Sequence, residues 1–207
     1  GNNASFPQYN TKLVSAAEAP KSWEGLLDPK WKGKQIGLPM DPKAWWTIAL
    51  AEGGWGIEKT KDYLKKLMAQ SPIMHKGMPE GVALLGAGEF KIASYNYSTE
   101  MQVAQEKGSP LNWCRVNPII ITGPSVIMIK GGPHPNATRL FLEWYLSPRG
   151  LAIHESLTWY GVAFPGAGSR LSKLLEGHSL VVRTEEVVLE AAKRGIDAEF
   201  RNILTGL

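Results

Sequence analysis

The chain holds one cysteine, Cys114, in 207 residues. A single thiol cannot close an intramolecular disulfide, and a cysteine-built zinc site is excluded with it. A domain of this length buries roughly 70% of its unfolded surface and needs no such staple. Long apolar runs are missing as well. The stretch from Pro118 to Ile129 is broken by Thr122, Gly123, Pro124 and Ser125, short of the roughly 18 residues that span a bilayer. No internal repeat is visible, which removes solenoids and propellers. Neither sign of charge dominates: 23 Lys plus Arg face 19 Asp plus Glu, a formal net charge of +4. The one basic stretch, Lys30-Trp31-Lys32-Gly33-Lys34, reads as a solvated turn, and a nucleic-acid binder would show a denser basic face. The start, Gly1-Asn2-Asn3-Ala4, is polar and reads as no secretory leader, so a processed or truncated chain is expected, which leaves room for a lost targeting segment.

Catalytic signatures are equally sparse. There is neither a G-x-S-x-G elbow nor a G-x-x-x-x-G-K-[ST] phosphate loop. Gly86-Ala87-Gly88 begins like a dinucleotide fingerprint but no third glycine follows at the right offset. His75, His134, His154 and His178 are scattered, with no pair at i, i+3 or i+4, so no histidine metal site is indicated. His154-Glu155 reads as a surface pair on a helix, and Cys114 as a packed apolar thiol. No enzyme chemistry and no cofactor are expected.

What is present is ordinary globular material, 43% AVILMFWYC and 20% charged, arranged as alternating strands and helices. Lys34–Met40 is strand-like, and Asp41-Pro42 then opens a helix over Ala44–Glu52 that Gly53-Gly54 stops. Ile57, Leu64, Leu67 and Met68 recur at helical spacing. Met78-Pro79-Glu80 opens a third helix, closed by Gly86 to Gly88. Phe90–Tyr97 alternates as a strand, with a polar helix over Thr99–Lys107 behind it. Leu111–Val116 and Ser125–Lys130 are further strands. Beyond Lys130 nearly everything reads as helix: one after Asn136, one from Ser147-Pro148, and one from Thr184 towards Leu204 with Gly195 as its weak point. The pattern predicts an α/β sheet flanked by helices. The later helices have almost no strand of their own, so they pack either on the first segment or on something outside this chain.

Binding chemistry collects where strands feed helices, because helix N-termini there present free N–H groups. Three such spots stand out. The first is Asp41 and Lys43 with Trp45 and Trp46, adjacent tryptophans that cannot share one helix face. The second is His75-Lys76-Gly77-Met78-Pro79. The third is Tyr95 and Tyr97, two apart on one strand face, whose phenols could hold ferric iron as phenolates or hydrogen-bond and stack on an organic ligand.

Several phrases, in order, resemble one family. They are Tyr9-Asn10-Thr11-Lys12-Leu13-Val14; Pro20-Lys21-Ser22-Trp23 leading to Leu26-Leu27-Asp28-Pro29-Lys30-Trp31-Lys32-Gly33-Lys34; Gly88-Glu89-Phe90; Lys107-Gly108-Ser109-Pro110; and Pro133-His134-Pro135-Asn136-Ala137 with Ser147-Pro148-Arg149-Gly150. The set is similar to the extracellular solute-binding proteins of bacterial ABC importers, in the ferric-iron, polyamine or phosphonate branch, from Tyr9 to about Ser169. The resemblance implies the type II periplasmic-binding-protein fold: two α/β lobes, each a mixed sheet flanked by helices, joined by crossing strands. It implies a second lobe over 9–123, and a return strand with the helical part of the first lobe over 124–207, the N-terminal half of that lobe being absent. It further implies a ligand held by Asp41, Lys43, Trp45, Gly77, Met78, Tyr95 and Tyr97, with no metal unless the two tyrosines bind ferric iron. The implied ligand is a ferric or other metal chelate, a polyamine, a phosphonate or similar. The implied partners are that ligand and membrane permease subunits, with no nucleic acid. The implied location is the periplasm or an anchor at the cell surface. A metabolite-sensing effector domain of a transcriptional regulator shares the architecture and is the alternative. Uncovered apolar surface between 125 and 207 predicts self-association.

Overall fold

The computed structural model describes residues 1–124 and 126–206. The strands are β1 (Asn3–Asn10), β2 (Ile36–Pro39), β3 (Ile73–His75), β4 (Ile92–Tyr97), β5 (Leu111–Trp113), β6 (Ile119–Thr122) and β7 (Leu180–Val182). The helices are α1 (Lys43–Leu50), α2 (Ile57–Met68), α3 (Met78–Ala87), α4 (Ser98–Glu106), α5 (Pro135–Tyr145), α6 (Pro148–Thr158), α7 (Arg170–Leu174), α8 (Glu185–Arg194) and α9 (Ile196–Thr205). The strands form one sheet in the order β3-β2-β4-β1-β6-β7, with β5 also on β1.

β1 is antiparallel to β4, β5 and β6, while β2 is parallel to β3 and β4, and β7 to β6. Every other strand therefore runs opposite to β1, and their carboxyl ends share one edge of the sheet. Met40, Lys76, Ser98, Gly123 and Arg183, the residues that follow β2, β3, β4, β6 and β7, all leave the sheet there. The three strand-to-helix turns singled out in the sequence thus lie along one edge.

The core beneath that edge is aromatic. Trp45 stands edge-on to Trp23 and to Tyr95, at centroid distances of 5.9 and 5.5 Å, and Trp55 packs on Tyr63 at 5.0 Å. The Trp23 indole N–H donates to Pro118 O (2.9 Å) and the Tyr63 hydroxyl to Trp23 O (2.7 Å), so these buried polar tips are satisfied. Aromatic pairs of this kind contribute about 0.5–1.5 kcal/mol each beyond their burial.

Several expectations are corrected. The strand read over Ser125–Lys130 does not form: Ser125 lies outside the described residues, and 126–129 carry no regular structure. The apolar run pairs earlier, as β6, where β1 and β7 offer neighbours; beyond it no strand is available to hydrogen-bond. β1, β3 and β7 add strands the sequence reading left out, and the strand at Leu111 stops at Trp113. The last helix is two, because Gly195 takes a left-handed φ of 64° that turns the chain between α8 and α9. Glu155 is no surface group: it is buried, and its Oε1 accepts from the Leu171 N–H (3.1 Å). β7 completes the sheet, and α8 and α9 lie on α1 and α2, so the chain after α7 returns to the body it left. α5 packs on α6 and buries none of its own residues.

Candidate functional site

A cleft of about 730 Å³ opens at the carboxyl edge of the sheet, within the size range of small-molecule sites. Lys43 and Trp46 from α1, Tyr97 at the end of β4, Gly123 after β6, Arg183 and Thr184 between β7 and α8, and Glu185 at the start of α8 line it, with Val126, Ile127 and Val188. The chain places three helix starts on this wall. Lys43 is the first residue of α1, Tyr97 caps α4, and Thr184 caps α8, its side chain accepting from the Val187 N–H. Helix N-termini favour negative charge.

Two cations add to that field. Lys43 Nζ lies 3.4 Å from Asp41 Oδ2, and Asp41 Oδ1 accepts the Lys43 backbone N–H (3.0 Å), so Asp41 shapes the start of α1. Arg183 forms no ion pair among the described residues. Its backbone N–H is tied to Ile121 O (2.9 Å), and its guanidinium carbon sits 5.9 Å from the centre of the Trp46 ring. Burial holds the Tyr97 phenol above its ordinary pKa, with Arg183 pulling partly the other way. Tyr97 is thus a neutral hydroxyl that can donate to an anion.

The structure sorts the residues picked from sequence. Lys43 and Tyr97 face the cleft, and Asp41 stands behind Lys43. Trp45 does not line it: at 0% exposure it belongs to the aromatic core, and its neighbour Trp46 takes the cleft position. Tyr95 is corrected likewise. It is buried, and its hydroxyl donates to Asp41 O at 2.6 Å. Burial first, then the Asp41 and Tyr97 charges, pushes its pKa well above that of a free phenol. A metal-ligating phenol must give up its proton, and here the Tyr95 proton is donated to Asp41 O. Among the described residues no group of three or more His, Cys, Asp or Glu is placed to hold a metal ion.

Gly77 and Met78 share the edge but do not line the cleft. The His75 Nδ1–H donates to Gly77 O (3.0 Å), and Met78 O accepts from Asn96 Nδ2 (3.1 Å). Asn96 in turn accepts the Tyr97 N–H (2.8 Å), so this loop braces the strand end that presents Tyr97. Sequence reasoning missed Arg183, Thr184 and Glu185. The available signal was a short Leu180–Val182 run feeding a Thr-Glu-Glu helix start, the same arrangement found at the other turns. Cys114 is buried, as expected, and its thiol is pushed up to about 12 by burial.

A cleft at the carboxyl edge of an α/β sheet, walled by cations and helix starts, defines a small-molecule-binding domain. The sequence model of the bacterial extracellular solute-binding proteins matches residues 4–173, and the chain belongs to that family. It is 30% identical over 154 residues to an uncharacterised protein of Haemophilus influenzae, covering 69% of this chain and 40% of the relative. An ABC transporter substrate-binding protein from Bradyrhizobium japonicum superposes with a TM-score of 0.75 at 15% identity, over 98% of this chain and 68% of that one. Ferric iron-binding protein A of Mannheimia haemolytica, in an open conformation, gives a TM-score of 0.72 at 18% identity, over 97% and 66%. The fold is that of the type II periplasmic binding proteins. The chain spans 40% of the length of the curated relative it matches. Among the described residues no helix is long and apolar enough to cross a membrane.

Proposed function

We propose that this chain is the ligand-gripping part of an ABC importer's solute receptor, that it takes a small oxyanion such as a phosphonate, phosphate ester or carboxylate, and that it performs no reaction. The observation that carries the reading is the pairing of Lys43 with Arg183 on one cleft walled by the starts of α1, α4 and α8. Those two cations oppose a polyamine. The buried, hydrogen-bonded Tyr95 weighs against ferric iron held by the tyrosine pair. The family match supports the receptor over the metabolite-sensing regulatory domain.

In this reading the ligand is delivered to membrane permease subunits from the periplasm or from an anchored position at the cell surface. α5 and α6 belong to the first lobe, which closes over the cleft, with residues 126–134 leading to it. The exposed apolar face of α5 and α6 also supports self-association of this chain.

A thermal-shift panel of inorganic phosphate, phosphonoacetate, citrate, putrescine and ferric citrate tests the ligand class. An oxyanion at a hundred times its Kd is expected to stabilise the chain by about 2.7 kcal/mol. Stabilisation by putrescine alone, or by no compound, overturns the reading.

A further inference from the structure

We propose that Trp46 and Asp197 are positioning residues for Arg183, forming a clamp that aims its guanidinium into the cleft before a ligand arrives. The inference rests on the reading of that cleft as an oxyanion site.

Three contacts carry it. Trp46 is 5% exposed, and its ring N–H donates to Asp197 Oδ1 at 3.1 Å. The ring of the same residue carries Arg183, guanidinium carbon to ring centre 5.9 Å. Asp197 is itself held, since its Oδ2 accepts from Arg201 Nη2 at 3.0 Å one helical turn on. The contacts join residues far apart in the chain: Trp46 in α1, Arg183 after β7 and Asp197 in the first turn of α9. The turn at Gly195 brings Asp197 back onto α1.

Each link has a physical purpose. Rotating the Trp46 indole away would strand an N–H that is largely out of water, so Asp197 locks the plane of the ring. A guanidinium near an aromatic ring is attracted by the ring quadrupole and loses rotamer freedom. Arginine otherwise carries a large side-chain entropy, and spending it in the free protein favours binding later. The guanidinium fork suits a planar or tetrahedral oxyanion that can take two parallel N–H bonds better than a spherical halide. Tyr97 and Lys43 line the same cleft, and so does Glu185, whose carboxylate opposes a second negative charge.

The test uses the whole chain, with folding of each variant checked by near-ultraviolet circular dichroism. In the ligand-free protein, the δ-methylene protons of Arg183 should be displaced by the Trp46 ring current. The displacement should vanish in Trp46→Leu and shrink in Asp197→Asn. Titration calorimetry with inorganic phosphate should show losses of roughly three- to tenfold for either variant, the scale of one cation–π contact. In an Arg183→Gln background, Asp197→Asn should cost nothing further, because its route to the ligand is gone. A merely structural role for Asp197 would lower affinity equally in both backgrounds and overturns the proposal. Unshifted Arg183 protons overturn it even if phosphate binds. Shifted protons in a protein that binds neither phosphate nor citrate support the clamp and overturn the oxyanion reading of the cleft.

Discussion

α8 and α5 are helices of 10 and 11 residues, each with a distinct apolar face. α8 sets Val187 and Ala191 into the core, against α1 and α9. α5 carries Leu140, Phe141 and Trp144, and all three stay exposed; Leu140 reaches 68%. Leu146, Ile153 and Leu157 are exposed as well, and in the 126–129 segment Ile127 is 77% exposed. The contrast separates two kinds of information. An amphipathic pattern states that a helix has a side to hide, but the identity of what hides it comes from elsewhere in the fold. For α8 the partners are α1 and α9. For α5 the described residues supply only α6.

The contrast can be broken by mutation. Trp45→Ala removes the hub of the aromatic core and should cost about 3–5 kcal/mol, whereas Phe141→Ala should move stability by less than about 0.5 kcal/mol. Urea unfolding of the two variants decides it, and an equal loss would mean that the α5–α6 arm is packed. Sedimentation velocity measures what the arm does with its surface. The wild-type chain should associate at micromolar concentration, and Phe141→Asp with Leu157→Asp should restore the monomer; a wild-type monomer throughout removes the claim. A subtler comparison uses the two caps. Thr184→Ala on α8 should cost about 1 kcal/mol of global stability, and Ser147→Ala, which loses the Gly150 N–H bond on α6, distinctly less.

The smallest effect is a pH slope within the body. His75 is buried between β3 and the first turn of α3, with Glu80 the nearby charge, and burial lowers its pKa. Among the described residues its Nε2 meets no partner, and a Cβ on Gly81 would come within 2.4 Å of the ring. The folded state therefore disfavours the imidazolium relative to the unfolded chain. The stability this gives is complete above the unfolded imidazole value, about 6.5, and drains away as pH falls below it. Urea midpoints measured from pH 7.5 to 5 should decline, and the decline should flatten in His75→Gln. A slope unchanged by that substitution would place its origin in other groups.

How much of this was legible follows the same line. α1 to α4 and β4 were readable because local signals agree: Asp41-Pro42 and Met78-Pro79 open helices, and Gly53 and Gly88 close them. β1 was not readable, because Asn3, Gln8 and Asn10 are polar yet buried. Asn3 binds Ser98 and Thr99, Gln8 reaches Tyr97 O and Asn10 reaches Leu85 O, and all of those partners are distant in sequence. The 126–130 run misled in the opposite way, being apolar and partly β-branched with no strand paired to it among the described residues. In the site, adjacency announced that Trp45 and Trp46 diverge but not which one meets the cleft. That was decided by α9, whose Asp197 receives the Trp46 ring N–H. Arg183 resembled any surface cation until β7 joined the sheet.

β1 carries one more consequence. It lies in the middle of the sheet, and Ser5 pairs with Tyr97 and Ala4 with Ile121. During synthesis its backbone groups must wait for β4 to emerge before one flank is matched, and for β6 before the other is. Such long-range closure slows folding and leaves a sticky, half-made ribbon open to chaperones or to its own kind. The residues that tie the finished molecule together at its centre are thus the ones most at risk while it is being made.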